Sequence, residues 1–316
     1  MLLISPESHD PYFNLALEEV LLKNTTGEYL LLWINDPCVV VGKHQVAHME
    51  ADTRYVTEHF IPVVRRISGG GTVYHDRGNL NFSFIRNSEE GKQVDFRRHT
   101  LPVIGFLESL SLDARFEGKN DIRIDGLKIS GNAEHVHRKR VLHHGTLLVN
   151  SSIGNLRNSI RSDKSCYESR AVNSNPAPVI NISERLPGKY DAYSFREEMI
   201  RYFLSGPEKI IFSEPAPEIT NAAAGLANSK YRSWEWNYAY GPDYVLRKSS
   251  AADPFKGGFS LYVHNGLISG FDTAGNDQMK SIEEKAIGVR HMVDDLQNLF
   301  SEEKIMPEGS GIFNFF

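Results

Sequence analysis

Three consecutive glycines, Gly69 to Gly71, stand in the run RRISGGGTVYHDRGNLNFSF, which otherwise alternates apolar and polar residues like a β-strand. Glycine inside a strand loses backbone entropy on folding and offers no side chain for packing. A triplet is tolerated mainly where another group must approach the main chain closely. The run therefore predicts two strand segments separated by a point of close approach.

Cationic side chains flank the triplet: Arg65 and Arg66 precede it and His75 follows it. The chain has no Walker A motif and no GxGxxG fingerprint, so the usual phosphate-binding loops are excluded. Main-chain amides and guanidinium groups that converge in this way can hold an anion. A tight turn or bulge with solvated arginines explains the same residues, and composition alone leaves both interpretations open.

The first two thirds of the chain predict a mixed sheet with flanking helices. The amphipathic run Asn14–Lys23 indicates a helix, and the apolar runs YLLLWI and CVVVG indicate two buried strands. Further helices are predicted over residues 52–59 and 101–112. Asp125-Gly126 between IRI and LKIS is a strong hairpin signal, and VLHHGTLLVN predicts the next strand. This order indicates an α+β fold rather than a repeating βαβ series.

The last third predicts a second, smaller unit. Residues 151–189 are polar and predict a long functional or mobile loop, and SFREEMIRYFL predicts a helix capped by Ser194. The Pro, Ala and Asn content of residues 213–230 is typical of a linker. Beyond it, Asn265-Gly266 predicts a hairpin and residues 281–300 a helix. We therefore expect a catalytic domain over residues 1–220 and an accessory α+β domain over residues 230–316.

Composition excludes several classes of protein. Of 316 residues, 24% are charged, and the net charge is −5. The chain as a whole therefore has no electrostatic attraction for nucleic acid or anionic lipid. Only two cysteines, Cys38 and Cys166, are present, too few for a disulfide framework. The N-terminus lacks a signal-peptide pattern, and no apolar run approaches the ~20 residues of a membrane helix. A cytoplasmic protein is expected.

A second candidate site surrounds Lys128 in the Asp-Gly hairpin. A lone lysine there is ordinarily a solvated edge residue, but Asn120-Asp121 precede it and HHGT, residues 143–146, follows within two strands. Histidines at positions 44, 48, 143 and 144 are weak metal signals without Cys partners or an HExxH frame, so no metal site is predicted. Cys166 lies in a polar loop, where a single cysteine usually has no catalytic role.

Together, RRISGGGTVYHDRGN, GKNDIRIDGLKISGNA and HHGTLLVN resemble the lipoate-protein ligase A family of the biotin/lipoyl protein ligase superfamily. The resemblance extends to PYFNLALEE, VVVGKHQ and WEWNYAYGPDY and so covers nearly the whole chain. The GRGRxxR-type loop of biotin ligases is absent. The resemblance implies a mixed-sheet ligase-like catalytic domain with a small C-terminal domain.

The resemblance also implies two half-reactions. Lipoate and Mg-ATP give lipoyl-AMP and pyrophosphate, and the lipoyl group then passes to a lysine of an apo lipoyl domain. The implied acceptors are 2-oxoacid dehydrogenase E2 subunits and the glycine cleavage H protein; the implied Mg²⁺ is carried by the nucleotide. The polar loop at 163–180 is a candidate lid that excludes water from the reactive anhydride.

Site residues follow from the resemblance position by position, with Lys128 as the catalytic residue. The implied ATP-binding residues are Arg66, Gly71, Thr72, Val73, Tyr74, Asn120, Asp121 and Lys128. The implied lipoate-binding residues are Ser68, Gly70, His75, His144 and Lys128.

Three alternatives remain open at this point. An octanoyl or lipoyl transferase would use Cys166 as its nucleophile and no ATP. A transferase using preformed lipoyl-AMP would need the same pocket as a ligase. A non-catalytic binding module for lipoyl domains would show no lipoate-dependent ATP–pyrophosphate exchange.

Overall fold

The computed structural model describes residues 1–88, 94–248, 258–273, 280–304 and 309–316. The strands of the described residues are β1 (Leu2–Ile4), β2 (Tyr29–Ile34), β3 (Cys38–Val41), β4 (Val63–Arg65), β5 (Val73–His75), β6 (Asn79–Asn87), β7 (Ala114–Glu117), β8 (Asp121–Ile124), β9 (Leu127–His137), β10 (Arg140–Leu148), β11 (Tyr167–Ser169), β12 (Ile211–Phe212), β13 (Tyr244–Lys248), β14 (Phe259–His264) and β15 (Leu267–Asp272).

The α-helices of the described residues are α1 (Pro11–Asn24), α2 (Ala47–Glu50), α3 (Thr53–Glu58), α4 (Phe96–Ser109), α5 (Ile153–Ser159), α6 (Ala192–Ser205), α7 (Pro217–Leu226), α8 (Lys280–Lys285) and α9 (Val293–Glu302). Short 3₁₀ turns lie at Ile182–Arg185 and Gly309–Phe315, and π-helical turns at Ala227–Tyr231 and Glu235–Ala239. None of the described helices is long and apolar enough to cross a membrane.

An eight-stranded mixed sheet in the order β12-β1-β2-β6-β10-β9-β8-β7 forms the body of the molecule. Its central strands are buried on both faces, which explains the continuous apolar run of β2. Leu30, Leu32 and Ile34 face a core that includes residues of α4 and α6, whereas Leu31 and Trp33 face a core built with α1 and α7. The predicted α+β architecture is confirmed.

A three-stranded sheet in the order β4-β3-β5 carries the glycine triplet. Strand β3 pairs parallel to β4 and antiparallel to β5, so the chain between β4 and β5 leaves and re-enters the same small sheet. The triplet occupies this connection, residues 66–72, which we call the glycine segment. The predicted interruption of strand structure at the glycines is confirmed.

Both predicted hairpins are present. Asp125 and Gly126 have φ values of 53° and 75° between β8 and β9, and Asn265 and Gly266 have φ values of 48° and 73° between β14 and β15. Positive φ at both turn positions matches the right-handed twist of the strands, and Asx-Gly adopts it readily.

The predicted linker is wrong. Residues 213–230 contain α7 and most of the following π-helical turn, and they pack against α1 through buried Ala223 and Ala227. Alanine and proline at the start of a helix suit this role as well as they suit a linker. The predicted C-terminal helix over 281–300 is instead two helices, α8 and α9, separated by Gly288 with φ +83°.

Helix α6 confirms the predicted helix of SFREEMIRYFL but is capped differently. Asp191 is the N-cap and accepts from the Ser194 amide at 2.7 Å, while the Ser194 side chain reaches back in a reciprocal capping box. A carboxylate at this position also stabilises the helix by interacting with the positive end of the helix dipole. The predicted cap at Ser194 was three residues too late.

The C-terminal residues form their own core around the four-stranded sheet β11-β13-β14-β15. Strand β11 comes from the polar stretch at 151–189, so this stretch is more ordered than predicted. Val46, Met49 and Tyr167 belong to the same hydrophobic cluster as the C-terminal strands and helices. The N-terminal and C-terminal regions thus share apolar packing.

Candidate active site

A cavity of about 650 Å³ opens beside the glycine segment. Apolar side chains of α1, β2 and β3 line one part of it, namely Leu15, Trp33 and Val40, and strands β9 and β10 line another. A wall is formed by residues 172–177, which we call the lid segment. Such an apolar cavity with a few polar groups is typical of a small-molecule site.

Arg66 organises the glycine segment. Its guanidinium donates to the carbonyls of Gly69 at 2.6 Å and Gly71 at 2.8 Å, to that of Val40 at 3.2 Å and to Ser68 Oγ at 2.9 Å. Burial lowers its pKa to about 10, which leaves it charged at neutral pH. This cation therefore folds the segment and places positive charge at the edge of the cavity.

The conformation of Gly70 explains why glycine is required in this segment. Its φ is +87°, and an added Cβ would lie 3.0 Å from Arg66 Nη2. Side chains other than glycine are strained at such φ values. Glycine is thus needed at position 70, and the group that approaches its main chain closely is the chain's own Arg66 side chain.

Lys128 lies in the same cavity. Its Nζ is 2.8 Å from Asp121 Oδ1, and Arg123 Nη2 is 2.8 Å from Asp121 Oδ2. The Lys128 backbone also pairs with the chain beyond the lid segment, donating to Pro178 O at 2.9 Å and accepting from Ile180 N at 3.1 Å. The Lys128 side chain is 23% exposed. It is therefore a positioned cation rather than a freely solvated one.

Two histidines contribute polar groups to the cavity. His144 Nδ1 lies 3.0 Å from Glu18 Oε1, and its Nε2 lies 2.6 Å from Ser68 Oγ. His75 Nδ1 accepts from Asn35 Nδ2 at 3.1 Å. Burial, reinforced by Arg66, lowers the pKa of His75 to about 3, so the ring is neutral with its proton on Nε2.

His75 Nε2 is a buried donor without a hydrogen-bond partner in the described part of the chain. His75 lines the cavity and is only 4% exposed. A buried unpaired N–H costs about 1–3 kcal/mol. A polar atom of a bound molecule would offset that cost, which fits a ligand-binding role for the cavity.

The lid segment is fixed to the glycine segment through Ser174. Its Oγ accepts from the Thr72 amide at 2.7 Å and from Gln45 Nε2 at 3.1 Å, and it donates to Glu50 Oε2. Lys164 Nζ holds the other oxygen of Glu50 at 2.5 Å. Glu50 is only 1% exposed. A buried carboxylate therefore anchors the lid over the cavity.

Most residues expected in the site line this cavity, and two do not. The cavity-lining members of the expected set are Arg66, Gly70, Gly71, Thr72, Val73, His75, Asn120, Asp121, Lys128 and His144. Ser68 lies behind the wall, bonded to His144 and Arg66. Tyr74 is buried with Val39 and Val41 on the far side of the small sheet, so only its main chain is near the cavity.

Sequence reasoning missed the structural role of Arg65 and the anchor of the lid. Arg65 is fully buried and donates to the carbonyls of Gly42, Gln45 and Asn237 at 2.7–2.9 Å. It thereby ties the loop after β3 to a C-terminal π-helical turn. The adjacent RR pair was the only local signal, and it does not distinguish a structural arginine from one at a cavity.

Cys166, His44 and His48 do not line the cavity. Cys166 packs against the C-terminal core and is not among the cavity-lining residues. His48 is buried, bonded to Thr53 Oγ1 at 3.1 Å and the His291 carbonyl at 2.8 Å. No candidate metal cluster of the described residues includes His44 or His48.

Comparison with known proteins identifies the family of this chain. The family model of the lipoyl protein ligase A/B catalytic domain matches residues 10–204. A lipoate-protein ligase of Bacillus subtilis is 38% identical over 76% of this chain and 74% of its own length. Lipoate–protein ligase 1 of Staphylococcus aureus is 34% identical over 93% of this chain and 91% of its own.

The fold of this chain is also similar to those of solved lipoate-protein ligases. A lipoate-protein ligase A solved with ATP bound is 27% identical, covers 75% of this chain and 97% of its own, and has a TM-score of 0.63. A bipartite lipoate protein ligase of Thermoplasma acidophilum, described with its E2 lipoyl domain, is 27% identical, covers 75% of this chain and 94% of its own, and has a TM-score of 0.63. The chain therefore belongs to the lipoyl protein ligase A/B family, with the α+β ligase fold of that family.

Proposed function

We propose that this ligase activates lipoate with Mg-ATP as lipoyl-AMP and transfers the lipoyl group to a lysine of apo lipoyl domains. The observation that carries the proposal is the Lys128 ammonium, held by Asp121 at 2.8 Å, in one apolar cavity with the glycine segment. The ATP-bound relative and the relative described with an E2 lipoyl domain support both half-reactions. E2 subunits and the glycine cleavage H protein are the proposed acceptors.

The first step joins two anions. A lipoate carboxylate oxygen bonds to the α-phosphorus of ATP, and the bond to the bridging oxygen breaks to release pyrophosphate. Lys128, the charge of Arg66 and amides of the glycine segment are proposed to neutralise this encounter. Preorganised donors of this kind are worth about 10²–10³ in rate each. Val73, Tyr74 and Asn120 are proposed to contact the nucleotide, the tyrosine through its main chain.

The second step consumes a mixed anhydride that water would destroy. The acceptor amine attacks the acyl carbon, AMP leaves, and the amine loses a proton. His75, His144 and Gly70 are proposed to hold the acyl tail on the apolar side of the cavity, and Ser68 is proposed to orient His144 from behind the wall. The lid segment is proposed to exclude water until the acceptor arrives.

Mg²⁺ is proposed to enter with the nucleotide, bound through phosphates and water. Both oxygens of Asp121 are already paired with cations, Lys128 and Arg123. That carboxylate therefore fits the positioning of Lys128 better than a direct metal contact. We also propose that residues 1–220 act as the catalytic domain and residues 230–316 as the accessory domain.

Replacing Glu50 with alanine is expected to release the lid. Ser174 and Lys164 lose their acceptor, and an unpaired buried polar group costs about 1–3 kcal/mol. That cost corresponds to about a ten- to hundredfold larger open population. Hydrogen exchange at the Val172 and Ser174 amides measures it, together with the loss of lipoyl-AMP to hydrolysis.

The matched control for Glu50 is Glu58→Ala, because Glu58 forms an exposed surface pair with Arg54, at 2.9 Å. This control should leave exchange in the lid unchanged. Equal lid exchange in wild type and Glu50→Ala would contradict the anchoring role of Glu50.

Cys166→Ser is expected to leave ligase activity nearly unchanged, because Cys166 lies outside the cavity-lining set. The measurement is the initial rate of acceptor modification with lipoate and ATP. Loss of that rate in a folded variant would favour the thiol-dependent transferase.

Mass spectrometry of an apo lipoyl domain tests the proposed function. After incubation with the protein, lipoate, ATP and Mg²⁺, the acceptor should gain the mass of one lipoyl group, and its lysine-to-arginine variant should gain none. Modification only from preformed lipoyl-AMP would indicate the transferase. Tight binding of the domain without modification would indicate a binding module.

A further inference from the structure

A second group of ionisable side chains lies behind the cavity wall. His99 comes from α4, Glu134 from β9 and His143 from β10, and their candidate ligand atoms lie within 4.8 Å of one another. Glu134 Oε1 is 3.0 Å from His99 Nδ1 and 2.9 Å from His143 Nδ1. All three side chains are at most 5% exposed. None of them is needed by the proposed ligase chemistry.

The surroundings of His143 are unusual for a neutral imidazole. Its Nε2 lies 3.3 Å from Asn132 Oδ1, and its Nδ1 faces the Glu134 carboxylate. The Asn132 amide is oriented by its own nitrogen, which donates to the Asn120 carbonyl at 2.9 Å. Both ring nitrogens of His143 therefore face acceptors, whereas a neutral ring has one N–H.

A bound metal cation would explain how both ring nitrogens of a neutral His143 can face oxygen atoms. If Nε2–H donates to Asn132, the lone pair of Nδ1 is free to bind a cation placed between His143, His99 and Glu134. Metal-bound histidines characteristically donate their other N–H to an oxygen acceptor, which fixes the tautomer. Asn132 is such an acceptor. Glu134 Oε2 is also held, by the Asp95 amide at 3.1 Å.

We propose that His99, Glu134 and His143 form a binding site for a divalent transition metal of the Zn²⁺ type. Two imidazoles and one carboxylate are a donor set that such metals accept, with bonds of about 2.0–2.2 Å. Tetrahedral bonds of that length separate the ligand atoms by about 3.3 Å. The observed contacts of 2.9–3.0 Å need to open by only a few tenths of an ångström.

The metal would brace the cavity wall. It would tie α4 to the β9–β10 pair, and Asn132 would connect it to the cavity, which Asn132 itself lines. Asn120 also belongs to that wall and is bonded to Asn132 in both directions. The role is structural, so metal binding is measurable whether or not the protein proves to be a ligase.

Calorimetric titration of the full-length, tag-free protein with Zn²⁺ after removal of metals with a chelator tests the site. One equivalent should bind per chain, and Zn²⁺ should raise the Tm whereas Mg²⁺ should not. X-ray absorption should show two imidazole nitrogens on the metal. His99→Asn and Glu134→Gln should each weaken binding by more than about tenfold.

His137→Ala is the matched control, because His137 lies on β9 with Glu134 but is not part of the metal-site cluster. It should bind Zn²⁺ like wild type. Absence of stoichiometric Zn²⁺ binding by the wild-type protein would overturn the proposal, as would equal binding by His99→Asn. Either result would mean that a proton, shared between histidine and Glu134, holds the cluster together.

Discussion

Lys128→Ala is expected to lower the rate of lipoyl-AMP formation by about 10²–10³-fold, the usual loss when one preorganised donor is removed. Lys128 has fewer structural bonds than the two cavity-lining arginines, since Arg66 is engaged by the glycine segment and Arg123 by both Asp121 and the Gly126 carbonyl. Arg123 still pairs with Asp121 in the variant. Single-turnover chromatography of lipoyl-AMP measures the loss, and the thermal unfolding midpoint reports on the fold.

Lys139→Ala is the matched control for Lys128, because Lys139 lies exposed in the turn that joins β9 to β10. It should form lipoyl-AMP at the wild-type rate. A wild-type adenylate yield from Lys128→Ala would remove this lysine from the mechanism, and a large fall in its unfolding midpoint would show that the lysine is structural.

Gly71→Val is expected to weaken ATP binding by forcing the lid and the glycine segment apart. A Cβ at position 71 would lie 3.1–3.3 Å from Ser174 atoms, and valine adds two methyl groups beyond it. Overpacking of this kind costs about 1–3 kcal/mol, which is about a ten- to hundredfold loss of affinity. Titration calorimetry with ATP measures it.

Gly69→Ala is the matched control for Gly71→Val. It tests whether the loss of any glycine in the segment weakens ATP binding, or only the crowding at position 71. A Cβ at position 69 meets no heavy atom within 4 Å, and its φ is not in the left-handed region. The alanine variant should bind ATP nearly as wild type does. Equal affinities for Gly71→Val and Gly69→Ala would contradict a close approach at position 71.

Local patterns predicted the elements that carry the site. Alternation and the Asp-Gly turn placed Lys128 on a hairpin, and the entropy cost of three glycines placed a break between β4 and β5. These signals are short-range, because turn chemistry and strand periodicity depend on adjacent residues. The convergence of the two segments on one cavity came from the family resemblance.

The contacts that close the site could not be predicted from local patterns. Ser174 meets the Thr72 amide across 102 positions, and Glu50 reaches Ser174 across 124. Composition does not encode such pairings, and a serine in a polar loop carries no signal of its own. For the same reason the composition of α7 predicts a linker, because its Ala-rich face is recognisable as a packing surface only once α1 lies against it.

Lipoate-dependent exchange of labelled pyrophosphate into ATP, without any acceptor protein, tests the central claim most directly. The presence of Lys128 in one cavity with the glycine segment predicts exchange that requires lipoate and Mg²⁺ and that disappears in Lys128→Ala. A folded wild-type protein that modifies an acceptor yet shows no exchange would contradict adenylation in this cavity.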